Sequence, residues 1–88
     1  MSGVVVYSKA GCPFCSLLKM EMKKRGIEFD EIDLSNDANR QAFYDRVGVN
    51  TVPQVFLSDE NHSITNPSGQ RLGGWTEVST NWEAFDTA

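Results

Sequence analysis

Apolar residues recur along this chain with two different periods. The first run, "GVVVY" (3–7), is continuous and β-branched, bounded by Gly3 and Ser8, and reads as a buried strand. In "PFCSLLKMEMKKRG" the period lengthens: Leu18 and Met22 lie one helical turn apart, with Leu17 beside them. Pro13 suits the first helical position, where its missing N–H would find no partner anyway. Lys23, Lys24 and Arg25 complement the negative end of the helix dipole, and Gly26 is the expected terminator. "IEFDEIDL" (27–34) reads as a second strand with a change of phase. Ile27 and Phe29 fall in one phase and Ile32 and Leu34 in the other, which a bulge or burial on both faces would explain.

The helical period returns in "SNDANRQAFYDRVG". It predicts a helix capped by Ser35 or Asn36, with Ala38, Ala42, Phe43 and Val47 inward and Gly48 at its end. "QVFLS" (54–58) is a third strand. The polar stretch 59–70, "DENHSITNPSGQ", reads as a long hairpin loop, and Arg71 and Leu72 enter a short fourth strand. Trp75, Val78, Trp82 and Phe85 fall at i, i+3, i+7 and i+10, the pattern of one face of a final helix. There is no internal repeat and no linker. The order β-α-β-α-β-β-α predicts a right-handed crossover between two parallel strands, then a hairpin that adds two antiparallel ones. The expectation is an α/β fold: a four-stranded mixed sheet flanked by three α-helices on its two faces, in a single domain over 1–88.

Composition narrows the classes. A chain of 88 residues supports one modest core. Twelve acidic against eight basic side chains give a net charge of −4, which argues against a nucleic-acid partner. The N-terminal stretch has no basic n-region and no signal-like apolar run, and no segment approaches the length of a membrane span. The expectation is a cytoplasmic protein with no membrane partner. A permanent structural disulfide is unusual in such a compartment.

The only two cysteines lie in "YSKAGCPFCSLL", and three readings compete for them. A zinc site needs four ligands, and Cys12, Cys15 and the single His62 make three, so no metal is expected. A buried inert pair is the second reading. The third is a redox dithiol. The helical pattern places Cys12 at the N-cap, at the carboxyl end of a sheet, where crevices form and ligands bind. There the unpaired N–H groups and the positive dipole end favour a thiolate, with Lys9 close by in sequence. Cys15, one turn further in, can close a disulfide with it, so Cys12 would attack and Cys15 would resolve. A C-x-x-C beside a strand-helix-strand pattern is a thioredoxin-type signature. Pro53, in "NTVPQVF", restricts Val52 to extended conformations. With a cis Val52–Pro53 bond, Val52 can offer its backbone N–H and C=O to an extended peptide.

"CPFC", "TVPQVF" and "LGGWTEV" together make the chain resemble a glutaredoxin, with order and spacing in agreement over nearly all of it. The resemblance implies the thioredoxin fold and glutathione as the partner. It implies Cys12 as the nucleophile that forms the glutathionyl mixed disulfide, and Cys15 as the resolving thiol. Lys9 matches a family lysine near the thiolate and the glycyl carboxylate, and Arg40 a position that contacts that carboxylate. Phe14 stands in place of the usual tyrosine as one wall of the groove. Thr51 and Val52 match the segment that pairs with the cysteinyl backbone, and Pro53 matches the cis-proline. Gly73 and Gly74 let the chain come close, while Trp75 N–H and the Thr76 N–H and hydroxyl would bind the γ-glutamyl carboxylate. Lys9 and Arg40 also admit a plain reading as solvated charges, Thr76 as a helix cap, and Trp75 as core.

Two features depart from the family pattern. Thr76-Glu77 replaces the usual Ser/Asp pairing, and the 59–70 loop is longer than in compact glutaredoxins. The resemblance implies a monomeric oxidoreductase that reduces protein disulfides and glutathione mixed disulfides, with ribonucleotide reductase as a client. Two rivals share the cysteines: a redoxin served by thioredoxin reductase, and an iron–sulfur carrier bridging two chains. Lys9, Arg40 and the Gly-Gly segment argue against the first, and Pro13 against the second.

Overall fold

The computed structural model describes residues 3–58 and 67–85. Strand β1 (Val4–Ser8) leads to helix α1 (Pro13–Lys24), then β2 (Asp30–Asp33), α2 (Asp37–Val47), β3 (Gln54–Leu57), β4 (Gln70–Gly73) and α3 (Trp75–Ser79). A 3-10 turn follows at Trp82–Phe85. The strands form one sheet in the order β2-β1-β3-β4. β1 pairs parallel with β2 and antiparallel with β3, and β3 pairs antiparallel with β4. This is the expected four-stranded mixed sheet with three α-helices. His62 and most of the 59–70 loop lie outside the described residues.

β1 is continuous in apolar residues because it feeds two cores. Val4 and Val6 face α1 and α3, packing with Leu18, Met22, Val55 and Val78. Val5 and Tyr7 face α2, packing with Leu34, Phe43 and Phe56. The change of phase in 27–34 has the same cause and needs no bulge. Ile27 and Phe29 pack on the first core, Ile32 and Leu34 on the second. Only Asp30–Asp33 pair as strand, and the charged residues along this edge blunt it against pairing with another chain. Tyr7 is fully buried and stacks on Phe43 with ring centroids 4.5 Å apart. Burial pushes its phenol up to about 12.

Two expectations are corrected. Ala38 and Ala42 are exposed, whereas Phe43 and Val47 face the sheet as expected and Tyr44 joins them. The aromatic and branched side chains remove far more apolar area from water than two methyl groups do, and so set the helix's rotation. The final helix is also not continuous. Trp75, Val78, Trp82 and Phe85 do share one core, but α3 stops at Ser79. The Thr80 hydroxyl donates to the carbonyls of Thr76 and Glu77 at 3.1 Å each. The chain then tightens, with the Asn81 N–H on the Val78 carbonyl and the Ala84 N–H on the Asn81 carbonyl.

One polar cluster ties α1 to the edge of the sheet. Glu31 accepts a hydrogen bond from the buried Ser8 hydroxyl at 2.7 Å and pairs with Lys19 Nζ at 2.5 Å. The Lys19 hydrogen bond first, and the Ser8 one second, hold the Glu31 carboxyl below its ordinary value. A carboxylate depressed in the folded state stabilises fully above its unfolded pKa, and this contribution is lost as pH falls through the folded value. The Glu31 side chain is 42% exposed, so solvent screening limits the pair to about 1 kcal/mol or less. Glu31→Gln should therefore be slightly less stable than the parent at neutral pH and converge with it in acid. Urea midpoints across that range would show this, and a constant gap would refute it.

Candidate active site

α1 begins where β1 ends, and this junction presents the two cysteines. Cys12 is the N-cap in extended conformation and Pro13 follows at the first helical position, as the sequence predicts. Cys12 and Cys15 are joined as a disulfide with their Cα atoms 5.2 Å apart. The Cys15 N–H donates to Cys12 Sγ at 3.2 Å. That donor and the dipole of α1 favour negative charge on Cys12 once the bond is opened. The two sulfurs are unequally placed: Cys12 is 7% exposed and Cys15 1%.

The turn ahead of Cys12 is pinned from across the sheet. The Ala10 N–H donates to Ser35 Oγ at 2.9 Å, and the Ser35 hydroxyl in turn donates to Asp33 Oδ1 at 2.6 Å. Asp33 also accepts the Ser35 N–H. The two Ser35 hydrogen bonds hold its carboxyl below the ordinary aspartate value. Asn36 is the cap of α2, accepting from the Asn39 N–H at 2.9 Å, which leaves Ser35 to anchor the site.

On the other side of Cys12 lies the turn into β3. Val52–Pro53 is cis, and the Val52 carbonyl oxygen lies 3.6 Å from Cys12 Sγ. Gln54, only 3% exposed, holds this turn. Its Nε2 donates to the Thr51 carbonyl at 3.2 Å and to Thr51 Oγ1 at 3.3 Å, while its Oε1 accepts from Arg71 Nη1 on β4. A groove of about 270 Å³ runs from here to α3, lined by Phe14, Thr51, Val52, Pro53, Gly74, Trp75, Thr76 and Glu77.

The two glycines make that groove possible. Gly73 has φ +113, and a Cβ there would lie 2.6 Å from Glu77 Cβ. A Cβ on Gly74 would sit 3.0 Å from the Pro53 carbonyl oxygen. Glu77 folds back over this turn and accepts the Gly74 N–H at 2.7 Å. It is half a capping box, since glycine has no side chain to return the bond. The N–H groups of Trp75 and Thr76 stand in the first turn of α3, where no intrahelical acceptor exists.

Phe14, Thr51, Val52, Pro53, Gly74, Trp75 and Thr76 thus come together from three separate segments. Trp75 serves core and groove at once. Gly73 supports the groove from β4 without lining it. Lys9 and Arg40 are not brought to its walls. Lys9 lines a separate cleft of about 310 Å³ with Ala10, Lys19, Glu31 and Asp33. Arg40 donates to the carbonyls of Leu34 and Ser35 and pairs with Asp37 at 2.6 Å. Sequence reasoning missed Ser35, Gln54 and Glu77 as supports. Of these only Glu77 carried a local signal, its place three residues after the N-cap.

Comparison with known proteins gives one answer by three routes. The sequence model of the family described as Glutaredoxin matches residues 4–62. Glutaredoxin 3 of Escherichia coli is 36% identical over 63 residues, covering 70% of this chain and 75% of its own length. The crystal structure of glutaredoxin 1 from Francisella tularensis, complexed with cacodylate, superposes with a TM-score of 0.77 at 29% identity. That superposition covers 97% of this chain and 96% of the other. A buckwheat glutaredoxin–glutathione complex superposes with a TM-score of 0.72 at 28% identity, over 93% of this chain and 69% of its own.

Proposed function

This chain belongs to the glutaredoxin family of thiol–disulfide oxidoreductases, and we propose that it uses glutathione to reduce protein disulfides and glutathione mixed disulfides. The observation that carries this reading is the groove that starts at Val52, whose carbonyl oxygen lies 3.6 Å from Cys12 Sγ, and reaches the first turn of α3. The relative from buckwheat in complex with glutathione supports the same choice of thiol.

In the proposed cycle the Cys12 thiolate attacks one sulfur of a client disulfide and forms a mixed disulfide. The other client sulfur leaves as a thiolate and takes a proton. The Cys15 thiolate then attacks the Cys12 sulfur, releases the second client thiol and closes the Cys12–Cys15 bond. A first glutathione thiolate opens that bond at Cys12, and a second removes the glutathionyl group. Two electrons pass from two glutathiones to the client, and glutathione disulfide is the product. With a glutathionylated client, Cys12 attacks the glutathione sulfur and the second glutathione completes the turn.

We assign the tripeptide along the groove. Thr51 and Val52 pair with its cysteinyl backbone, Pro53 and Phe14 flank it, and Gly73 and Gly74 admit it. The Trp75 N–H and the Thr76 N–H and hydroxyl hold its γ-glutamyl carboxylate. Lys9 and Arg40 stand outside the groove walls, and we assign them the glycyl carboxylate where the tripeptide extends past the groove. The chain acts as one domain and a monomer in the cytoplasm, with ribonucleotide reductase as one client.

The direct test is to mix the oxidised protein with reduced glutathione alone and follow the thiols by mass spectrometry. The Cys12–Cys15 bond should open, with a glutathionyl adduct appearing on Cys12. A bond that opens only with thioredoxin reductase would sink the proposal.

A further inference from the structure

The outward face of α1 carries three large exposed apolar side chains, and the groove accounts only for Phe14 among them. Phe14, Leu17 and Met20 are 56%, 38% and 62% exposed. Residues three and four apart share a helix face, so Leu17, Met20 and Lys24 form a ridge that begins at Phe14 beside the disulfide. Single exposed apolar residues need no explanation, but a contiguous run does. The inward face of α1 is already supplied by Cys15, Leu18 and Met22.

Charge gives the ridge a direction. The chain as a whole carries −4, yet Lys19, Lys23, Lys24 and Arg25, half of its eight cationic side chains, fall within one short segment of α1 and its cap. Lys19 is spent on Glu31. Arg25 pairs with Glu21 and lies 4.4 Å from the centre of the Trp82 ring. Lys23 and Lys24 are exposed and have no ion-pair partner among the described residues. At the helical rise, Phe14 and Lys24 are about 15 Å apart. The ridge is thus apolar beside the sulfurs and cationic at its far end.

We propose that this ridge is a docking track for the client polypeptide, selecting segments with apolar side chains next to the reactive cysteine and carboxylates about 15 Å further along. The inference rests on the exchange reaction at Cys12 proposed above, and says which proteins that reaction favours.

Two synthetic peptides, each joined to glutathione through one cysteine, would test it. Both carry apolar residues after the cysteine; one ends in Asp-Glu and the other in Lys-Lys. Hydroxyethyl disulfide serves as a small substrate without a track. Two surface charge pairs predict about fivefold higher kcat/KM for the acidic peptide, a preference that salt should erase. The double variant Lys23→Glu, Lys24→Glu should reverse the preference. The double variant Leu17→Ser, Met20→Ser should lose about fivefold or more on both peptides, from lost apolar burial. Both variants should keep the unaltered rate on hydroxyethyl disulfide. Equal rates on the two peptides, or a preference that survives charge reversal, would overturn the track. So would self-association that the Leu17/Met20 variant abolishes, since the ridge would then belong to a second copy. If the unaltered protein left hydroxyethyl disulfide intact in the presence of glutathione, the proposed reaction itself would fail, and the track with it.

Discussion

Replacing Cys12 by Ser should abolish both the reduction of protein disulfides and the removal of glutathione, whereas Cys15→Ser should keep the second reaction and lose only the first. The asymmetry follows from position. Cys12 is the N-cap, receives the Cys15 N–H at 3.2 Å, and is the more exposed of the two sulfurs. A serine there cannot supply a comparable nucleophile, because a hydroxyl does not ionise appreciably near neutral pH. Turnover should fall by at least about a thousandfold, the scale seen when a nucleophile is removed from a concerted site. Cys15 is sealed at 1% exposure, so it meets Cys12 sulfur rather than substrate. Without it, a glutathionylated client can still pass its glutathione to Cys12, and free glutathione can take it away. A client with an internal disulfide stays trapped on Cys12. Assays on a glutathionylated peptide and on a protein disulfide, run side by side, separate the two cases. Turnover retained by Cys12→Ser would mean that the wrong sulfur has been named.

The largest loss of stability should come from Phe43→Ala. Phe43 is fully buried, stacks on Tyr7 at 4.5 Å and meets Phe56 edge-on at 6.4 Å. It is also the one fully buried side chain of α2, so the helix has no second anchor of that size. Truncation removes the ring's burial and leaves a cavity between layers, at a cost of about 3–5 kcal/mol. Small domains have only about 5–15 kcal/mol in all, so the variant should stand near the edge of folding. Urea unfolding would read it as a lower midpoint. A loss under about 1 kcal/mol would mean that Tyr44 and Val47 repack to fill the space.

Local features of this molecule were legible and distant ones were not. The Cys12 cap, Pro13 at the helix start and the Gly48 stop are written in adjacent residues, and the structure has each of them. The groove was anticipated through the resemblance that "CPFC", "TVPQVF" and "LGGWTEV" carry, and the structure brings those three segments together but leaves Lys9 and Arg40 outside its walls. Ser35 and Gln54 were not legible. Ser35 meets Ala10 across 25 positions, and Gln54 meets Arg71 across 17. No spacing rule reaches that far. The final helix shows the reverse limit. Period 3.6 located the face shared by Trp75, Val78, Trp82 and Phe85 correctly, but a shared face does not require an unbroken backbone. Thr80 takes the carbonyls that a longer helix would have used.

The Cys12–Cys15 bridge spans a sequence separation of three, within the opening turn of one helix. A cross-link restrains an unfolded chain according to the loop it closes, and this loop is at the short end of that scale. Opening the bridge frees one turn and separates no two elements of the sheet. The fold is therefore no hostage to the oxidation state of its sulfurs, and the bond can be made and broken many times in the working life of a single molecule.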